Sequence, residues 1–206
     1  MICTELLEYH AHHKHGTTTI KLIEYPDKKD WEEVRKRALI TIDKRPIHPL
    51  SEDWLKSILR ARHSPIRRAM YSFLFVDIPS NTATHFARHV HAQPYISTLR
   101  EDRMHQDGDH APRCTPVQMI LDVNAEELMI MANKRLCGQA SPITQHIMTG
   151  MCSLVNQVNP FMQEFLVPMC GYHGGICHEM FPCGRLRKEQ EESINKETKE
   201  NDHETD

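Results

Sequence analysis

The chain has 206 residues, enough for one domain with its own buried core. Its composition, 39% hydrophobic and 26% charged, is that of an ordinary globular protein. It contains no apolar run near the roughly 20 residues that a membrane helix needs, and its polar, His-rich N-terminus is unlike a secretory signal. We therefore expect a cytoplasmic protein with no membrane partner.

The formal charge of −3 comes entirely from the C-terminal end. Residues 185–206 contain five Lys or Arg and eight Asp or Glu, so the rest of the chain is neutral. A neutral body lacks the positive field that attracts duplex nucleic acid. Four arginines within residues 60–68 suit a small polyanion such as a nucleotide instead. We predict a single domain over 1–184 and a disordered tail over 185–206.

Hydrophobic periodicity predicts a strand, two helices and a second strand in the first 80 residues. Alternating apolar residues indicate a strand over 17–25. Apolar residues at helical spacing indicate helices over 28–43 and 51–61, the second with Ser51 as its N-cap. The aromatic and β-branched run at 70–78 is the most strand-like segment of the chain.

The other predicted elements are helices, with one long loop among them. Ser80 or Asn81 caps a helix that continues to about residue 91, and the polar segment 100–116 is a loop. Three helices follow: one headed by Asn124 with a capping box to Glu127, one opened by Ser141 and Pro142 and running to Val158, and one over 160–169.

Cysteine and histidine are concentrated near the C-terminus. The seven cysteines cannot all pair as disulfides, and five Cys or His residues lie within 170–183 among several glycines. Glycine permits the tight turns that bring thiolates and imidazoles to one tetrahedral ion. We therefore predict a structural zinc site in segment 170–184. Its predicted ligands are Cys170, Cys177, Cys183 and Cys137, with Cys114, His173 and His178 as alternatives.

A second group combines arginine, histidine and hydroxyl side chains. Arg88 and His89 lie at the predicted end of a helix, where they can meet a phosphate through charge-assisted hydrogen bonds. Arg100 follows Ser97 and Thr98 and can hold a second anionic or carbonyl group. The alternative for His89 is an ordinary surface histidine without a functional role.

Two blocks of residues occur in an order that is typical of one enzyme family. The first runs from His63-Ser64-Pro65 to Arg88-His89 and then to Thr98, with Arg100 two residues beyond. The second, over 123–135, has an Asn at the head of a helix that ends in an Arg. Together they resemble the flavin-dependent thymidylate synthases, the ThyX family, whose first signature is RHR, seven residues, Ser, and an Arg two beyond. The resemblance spans about residues 17–169.

The chain departs from the family pattern at several positions. Val90 stands where the triplet has its second Arg, Thr98 where Ser is usual, and Arg67 where a Glu is usual. Ala140-Ser141 replaces an Ala-Gln pair, the stretch from 100 to 124 is short, and the Cys-rich end is an addition. These departures are typical of a divergent, compact member, such as a phage-type one.

The resemblance implies an α/β fold in which helices pack a central mixed sheet, assembled as a homotetramer with active sites shared between subunits. It also implies FAD as cofactor and dUMP as substrate. A methylene group from methylenetetrahydrofolate would be transferred to uracil C5 and reduced by hydride from the flavin, itself reduced by NADPH, giving dTMP. The protein would mainly orient the reactants and supply charge.

The same resemblance implies roles for particular residues. Arg100 and Arg135 would hold the dUMP phosphate and polarise the uracil, forming the catalytic set with Thr98, while Ser97 or Thr98 would bond the nucleotide. Two other functions stay open: another C5 modification of dUMP, and nucleotide binding without catalysis. The implied FAD contacts are Arg62, His63, Ser64, Arg88, His89 and Asn124.

Overall fold

One antiparallel sheet forms the centre of the protein. The computed structural model describes residues 7–104 and 110–185. Within these ranges the strands lie in the order β1-β2-β3-β5-β4, and every neighbouring pair is antiparallel. The strands are β1 (Leu7–His13), β2 (Gly16–Glu24), β3 (Met70–Pro79), β4 (Ala92–Ile96) and β5 (Pro116–Asn124).

The α/β class predicted from the sequence is confirmed, but the strand directions differ from the mixed sheet that we expected. A short turn joins β1 to β2, which forces the antiparallel direction. The longer connections, from β2 to β3 and from β4 to β5, each start and finish at the same end of the sheet, so the strands that they join are antiparallel. The chain leaves β2 near Glu24 and re-enters beside it at Ser72, and it leaves β4 at Ile96 and returns through the start of β5.

Helices pack against one face of the sheet. Burial alternates along β5, where Val117, Met119 and Leu121 face the core and Gln118 and Ile120 are exposed. Helices α3, α5 and α6 contact the sheet, and short 3₁₀ turns occupy Ser64–Arg68 and Pro160–Met162. The helices are α1 (Lys28–Ile40), α2 (Glu52–Arg60), α3 (Ser80–Ala87), α4 (Glu101–Met104), α5 (Ala125–Arg135), α6 (Pro142–Val158) and α7 (Met169–Tyr172).

Two of the predicted helix starts agree with the side-chain contacts. Ser51 accepts a hydrogen bond from the backbone N of Trp54 at 3.3 Å, as an N-cap does. Asn124 accepts one from the backbone N of Glu127 at 2.9 Å. The reciprocal half of the predicted capping box is wrong, because the carboxylate of Glu127 accepts a hydrogen bond from His89 instead.

Strands β1, β4 and β5 are not among the elements predicted from the sequence. Outward residues of β1 are Glu8, His10 and His12, so the strand carries few of the apolar residues that mark one. Strand β4 contains Pro94, which is tolerated because β4 lies at the edge of the sheet. Segment 100–116 contains α4 and the first residue of β5, and 105–109 lie outside the described residues.

Two predicted helices are shorter than expected. Helix α3 ends at Ala87, about four residues before the expected end, with Arg88 as its C-cap. Over 160–169 there is a 3₁₀ turn and irregular chain rather than a continuous helix. Pro168 disfavours helix at the residue before it and becomes the N-cap of α7.

The face of the sheet opposite the helices carries exposed apolar side chains. Ile120 pairs in register with both Leu74 and Tyr95, and Ile120 and Tyr95 are 37% and 58% exposed. We call Leu74, Tyr95 and Ile120 the open face.

The predicted tail lies outside the described residues except for Arg185. Among the described helices, none is long and apolar enough to cross a membrane.

Gly150 marks the closest approach of α6 to the β1–β2 hairpin. A Cβ at this position would lie 2.8 Å from Cε1 of Tyr9 and 2.9 Å from Cδ1 of Ile20. We expect Gly150→Ala to lower the free energy of unfolding by about 1 to 3 kcal/mol in urea denaturation, because overpacking displaces the hairpin. Gln157→Ala, at an exposed position of the same helix, should not destabilise. Equal stability of G150A and the wild type would contradict this close packing.

Candidate functional site

A buried chain of three polar side chains joins α5 to the end of α3. Nδ1 of His89 lies 2.9 Å from Oε1 of Glu127, and Nε of Arg135 donates to Nε2 of His89 at 3.1 Å. His89 and Glu127 are only 9% and 4% exposed. These three hydrogen-bonded side chains are therefore shielded from water except at the Arg135 end.

These contacts fix the tautomer of His89. The Nε of arginine can only donate a hydrogen bond, so Nε2 of His89 must accept and Nδ1 must carry the proton that it donates to Glu127. Burial and the charge of Arg135 lower the pKa of His89 from its ordinary value, against the opposing effect of Glu127. His89 is therefore a neutral link between a carboxylate and a guanidinium.

Two arginines, Arg88 and Arg135, lie close together where the three hydrogen-bonded side chains reach the surface. Nη2 of Arg135 donates to the backbone oxygen of His85 at 2.6 Å. Burial and the charge of Arg88 lower the pKa of Arg135. The exposed side chain of Arg88 makes no hydrogen bond or ion pair with any residue in the described part of the chain. Paired guanidinium groups with donors to spare suit a phosphate or another oxyanion.

Arg62 lies against the opposite side of α5. Its Nη2 donates to Oδ1 of the buried Asn133 at 2.7 Å, and its guanidinium lies over the Tyr172 ring, 4.2 Å from the centroid. Its buried Nε has no hydrogen-bond partner within the described ranges. The next residues, His63 and Ser64, are exposed and line a cavity of about 360 Å³ beside α1 and α2.

The first turn of α5 uses two more residues of the family-like blocks. The side chain of Asn124 caps the helix and so has a structural task of its own. Arg67, which stands where the family usually has a Glu, pairs with Glu126. The reversed charge at 67 therefore has a local partner in this chain.

Ser97, Thr98 and Arg100 lie at the far end of β4 from His89. Strand β4 begins beside Val123 and ends beside Met119, and five strand residues span about 16 Å. Their side chains make local contacts in this region: Ser97 Oγ accepts from the backbone N of Gln118, Thr98 Oγ1 accepts from the backbone N of Arg100, and Arg100 forms a bidentate pair with Asp102. A single chain therefore does not bring the whole set of predicted nucleotide-binding residues together.

The cysteines predicted as metal ligands line one cavity of about 530 Å³ without forming a compact group. Across 7–104 and 110–185, no three His, Cys, Asp or Glu side chains are arranged to hold a metal ion. The structure therefore does not support a preformed zinc site. His178 also lines this cavity, whereas Cys114 and His173 do not. The four cysteines are Cys137, Cys170, Cys177 and Cys183, all with free thiols.

Sequence reasoning missed Glu127 as a member of the site. The sequence predicts this residue as the second half of a capping box, because an Asn-x-x-Glu pattern is typical of a helix start. His85 was also missed, since it contributes a backbone oxygen, which no side-chain pattern reveals. The one available signal was that Glu127 falls on the buried face of a helix that is otherwise apolar there.

The path of the chain is similar to that of a solved enzyme. The similarity covers 71% of this chain and 96% of thymidylate synthase X (ThyX) from Helicobacter pylori, solved with FAD and dUMP, with a TM-score of 0.57. The fold is ThyX-like. At 9% sequence identity the similarity establishes the fold alone. No protein-family model matches the sequence, and no curated protein matches it.

The shifted pKa of His89 makes the stability of the protein depend on pH. Because burial lowers the pKa of His89 below about 6.5, the unfolded chain binds a proton more tightly than the native protein does. The stabilising contribution of neutral His89 is therefore complete above about pH 6.5 and is lost as the pH falls below it. His13 and His85, whose pKa values are also lowered by burial, act in the same direction.

Replacing His89 with glutamine isolates its share of this effect. We expect H89Q to cost about 1 to 3 kcal/mol near neutral pH, because a hydrogen bond to a charged group is lost or weakened. Its stability, measured by urea denaturation across pH, should then fall less than that of the wild type on acidification. The exposed His91 supplies the control, since H91Q should keep the wild-type pH dependence. Equal pH dependence of H89Q and the wild type would contradict a buried, neutral His89.

Proposed function

We propose that this protein is a flavin-dependent thymidylate synthase that methylates dUMP at C5 to give dTMP. The observation that carries the proposal is the contact between Arg135 and His89 on a ThyX-like fold. Each residue comes from a different family-like sequence block, and the fold brings them within 3.1 Å of each other. On this proposal the chain is a divergent member of the ThyX family.

Arg135 would hold the phosphate of dUMP. Nε and Nη2, on one edge of its guanidinium, donate to His89 and to the backbone oxygen of His85, so little side-chain entropy remains to be lost on binding. Arg88 adds a second positive charge at the same place. Arg100, Ser97 and Thr98 would contact the nucleotide from another subunit, because they lie at the far end of β4 in their own.

The residues near α5 fit an anionic dinucleotide cofactor such as FAD. The donors available to it are the unpartnered Nε of Arg62, the exposed Arg88, and the exposed side chains of His63 and Ser64. FAD, when bound, would supply the hydride that reduces the transferred one-carbon unit. In this scheme methylenetetrahydrofolate donates that unit and NADPH reduces the flavin.

A homo-oligomer follows from the division of these residues between two ends of β4. A chain whose residues 1–184 carry no net charge can concentrate positive charge at a site only by bringing arginines together, and neighbouring subunits can contribute them. The open face supplies apolar surface for such contacts. We propose a tetramer, as the resemblance to ThyX implies.

One observation favours a second function, nucleotide binding without methyl transfer. Val90 replaces the second arginine of the family triplet and is 86% exposed, so no cation is available at that position. A protein that no longer bound the flavin phosphates but kept Arg135 would still bind dUMP. The two functions differ in whether FAD binds.

Ligand binding and complementation separate these possibilities. For the synthase we expect a yellow protein with flavin absorption, dUMP binding by calorimetry, and growth of a thymidine auxotroph. Arg135→Lys should weaken dUMP binding at least about tenfold, because lysine cannot keep both hydrogen bonds that the guanidinium makes, to His89 and to the backbone oxygen of His85. Arg45→Ala, at an exposed site in the segment between α1 and α2, should bind like the wild type. Binding of dUMP without FAD would indicate the second function, and binding of neither would refute both.

The proposed assembly has its own test in light scattering. We expect the wild type to elute at a multiple of the chain mass of 24.0 kDa, near four times that value. Ile120→Lys places a charge in the open face and should shift the mass towards smaller species. Ile47→Lys, at a loop residue that is 88% exposed, is the matched control and should leave the mass unchanged. A wild-type monomer would rule out a site shared between subunits.

A further inference from the structure

The C-terminal loop has little burial to hold it in place. No residue from 173 to 185 is buried, and three large apolar side chains, Ile176, Met180 and Phe181, are 60 to 86% exposed. Gly174 and Gly175 both have positive φ, at 62° and 91°, which gives the chain conformations that other residues rarely adopt. A loop of this kind gains order most readily from a cross-link or an ion.

Four thiols surround the cavity between this loop and the helical body. Cys137 lies two residues after the end of α5, and Cys170 lies in α7, so both belong to the part of the chain that packs against the body. Cys177 and Cys183 belong to the loop and complete the lining. The set therefore consists of two thiols on the body and two on a segment that can close over them.

Further contacts hold the loop against the body near Cys137. Cys183 packs against Gly138: a Cβ on that glycine would lie 3.0 Å from Sγ of Cys183. Nε2 of Gln139 donates to the backbone oxygen of Phe181 at 2.7 Å, and Nζ of Lys134 lies 3.7 Å from Oε1 of Glu179. The loop is thus already positioned at the body thiols, although it is not closed around a common centre.

We infer that Cys137, Cys170, Cys177 and Cys183 form a structural binding site for a zinc ion, which closes the loop when it binds. Four thiolates around zinc require Zn–S distances of about 2.3 Å, hence sulfur atoms about 3.8 Å apart. The cavity of about 530 Å³ must contract to reach this geometry, and the glycine-rich loop is the part that can move. Thiolates favour a soft or borderline metal over Mg²⁺ or Ca²⁺.

The test uses the full chain, purified under reducing conditions with zinc and freed of excess metal by gel filtration. Metal analysis should give about one zinc per chain. After exchange with Co²⁺, the spectrum should show a thiolate-to-cobalt charge-transfer band and the intense visible bands of tetrahedral coordination. Cys177→Ala and Cys183→Ala should lose the ion while circular dichroism stays unchanged, because neither side chain is part of the core. Cys114→Ala is the control and should keep it.

A second measurement reports on closure of the loop. Glu179 is followed by Met180, which is 86% exposed, and offers a glutamate-specific protease a cleavage site at the Glu179–Met180 bond. Zinc should protect this bond in the wild type, and a chelator, C177A or C183A should expose it. Absence of bound zinc, its loss in C114A, or its retention in all four single-cysteine variants would overturn the inference. Loss in His178→Ala with retention in any one of these cysteine variants would overturn the four-thiolate set.

Discussion

The buried carboxylate of Glu127 is the constraint on which the rest of the site depends. A carboxylate that is 4% exposed must find a donor or become protonated, and the donor that the fold provides is Nδ1 of His89. That hydrogen bond leaves Nε2 as an acceptor, and Nε2 then orients Arg135. One buried charge therefore sets the tautomer of a histidine, the direction of an arginine and the relative position of α3 and α5.

The fold makes this arrangement possible by bringing together segments that are distant in sequence. Strand β5 leads directly into α5 at Asn124, and β4 starts beside Val123, so the chain between α3 and β4 lies against the first turns of α5. Backbone N of Ala125 donates to the backbone oxygen of Ala69, which places the 3₁₀ turn of Ser64–Arg68 there as well. The two family-like blocks thus meet at one helix because the sheet order places β3 and β4 on either side of β5.

How much could be predicted depended on whether a residue acts locally or at a distance. Ser51 and Asn124 cap helices within their own segments, so a short sequence pattern identified both. Strand β1 could not be identified in the same way, because its inward residues are buried by distant segments, through pairing with β2 and packing against α6. Glu127 shows the limit most clearly: its local pattern indicated a cap, while its energetics are decided by a histidine 38 residues away.

Helix α7 links the cysteine cavity to the residues proposed for cofactor binding. It carries Cys170, and two residues later Tyr172, whose ring lies under the guanidinium of Arg62. Arg62 has a positive φ of 49° and bonds Asn133, which in turn donates to the backbone oxygen of Val167 just before α7.

An ion that fixed Cys170 would therefore also restrain Tyr172 and, through it, Arg62. The C-terminal segment would then contribute to the rigidity of the residues proposed for cofactor binding. No residue from 167 to 185 is buried, so in this described segment a metal can supply rigidity that additional core would otherwise provide.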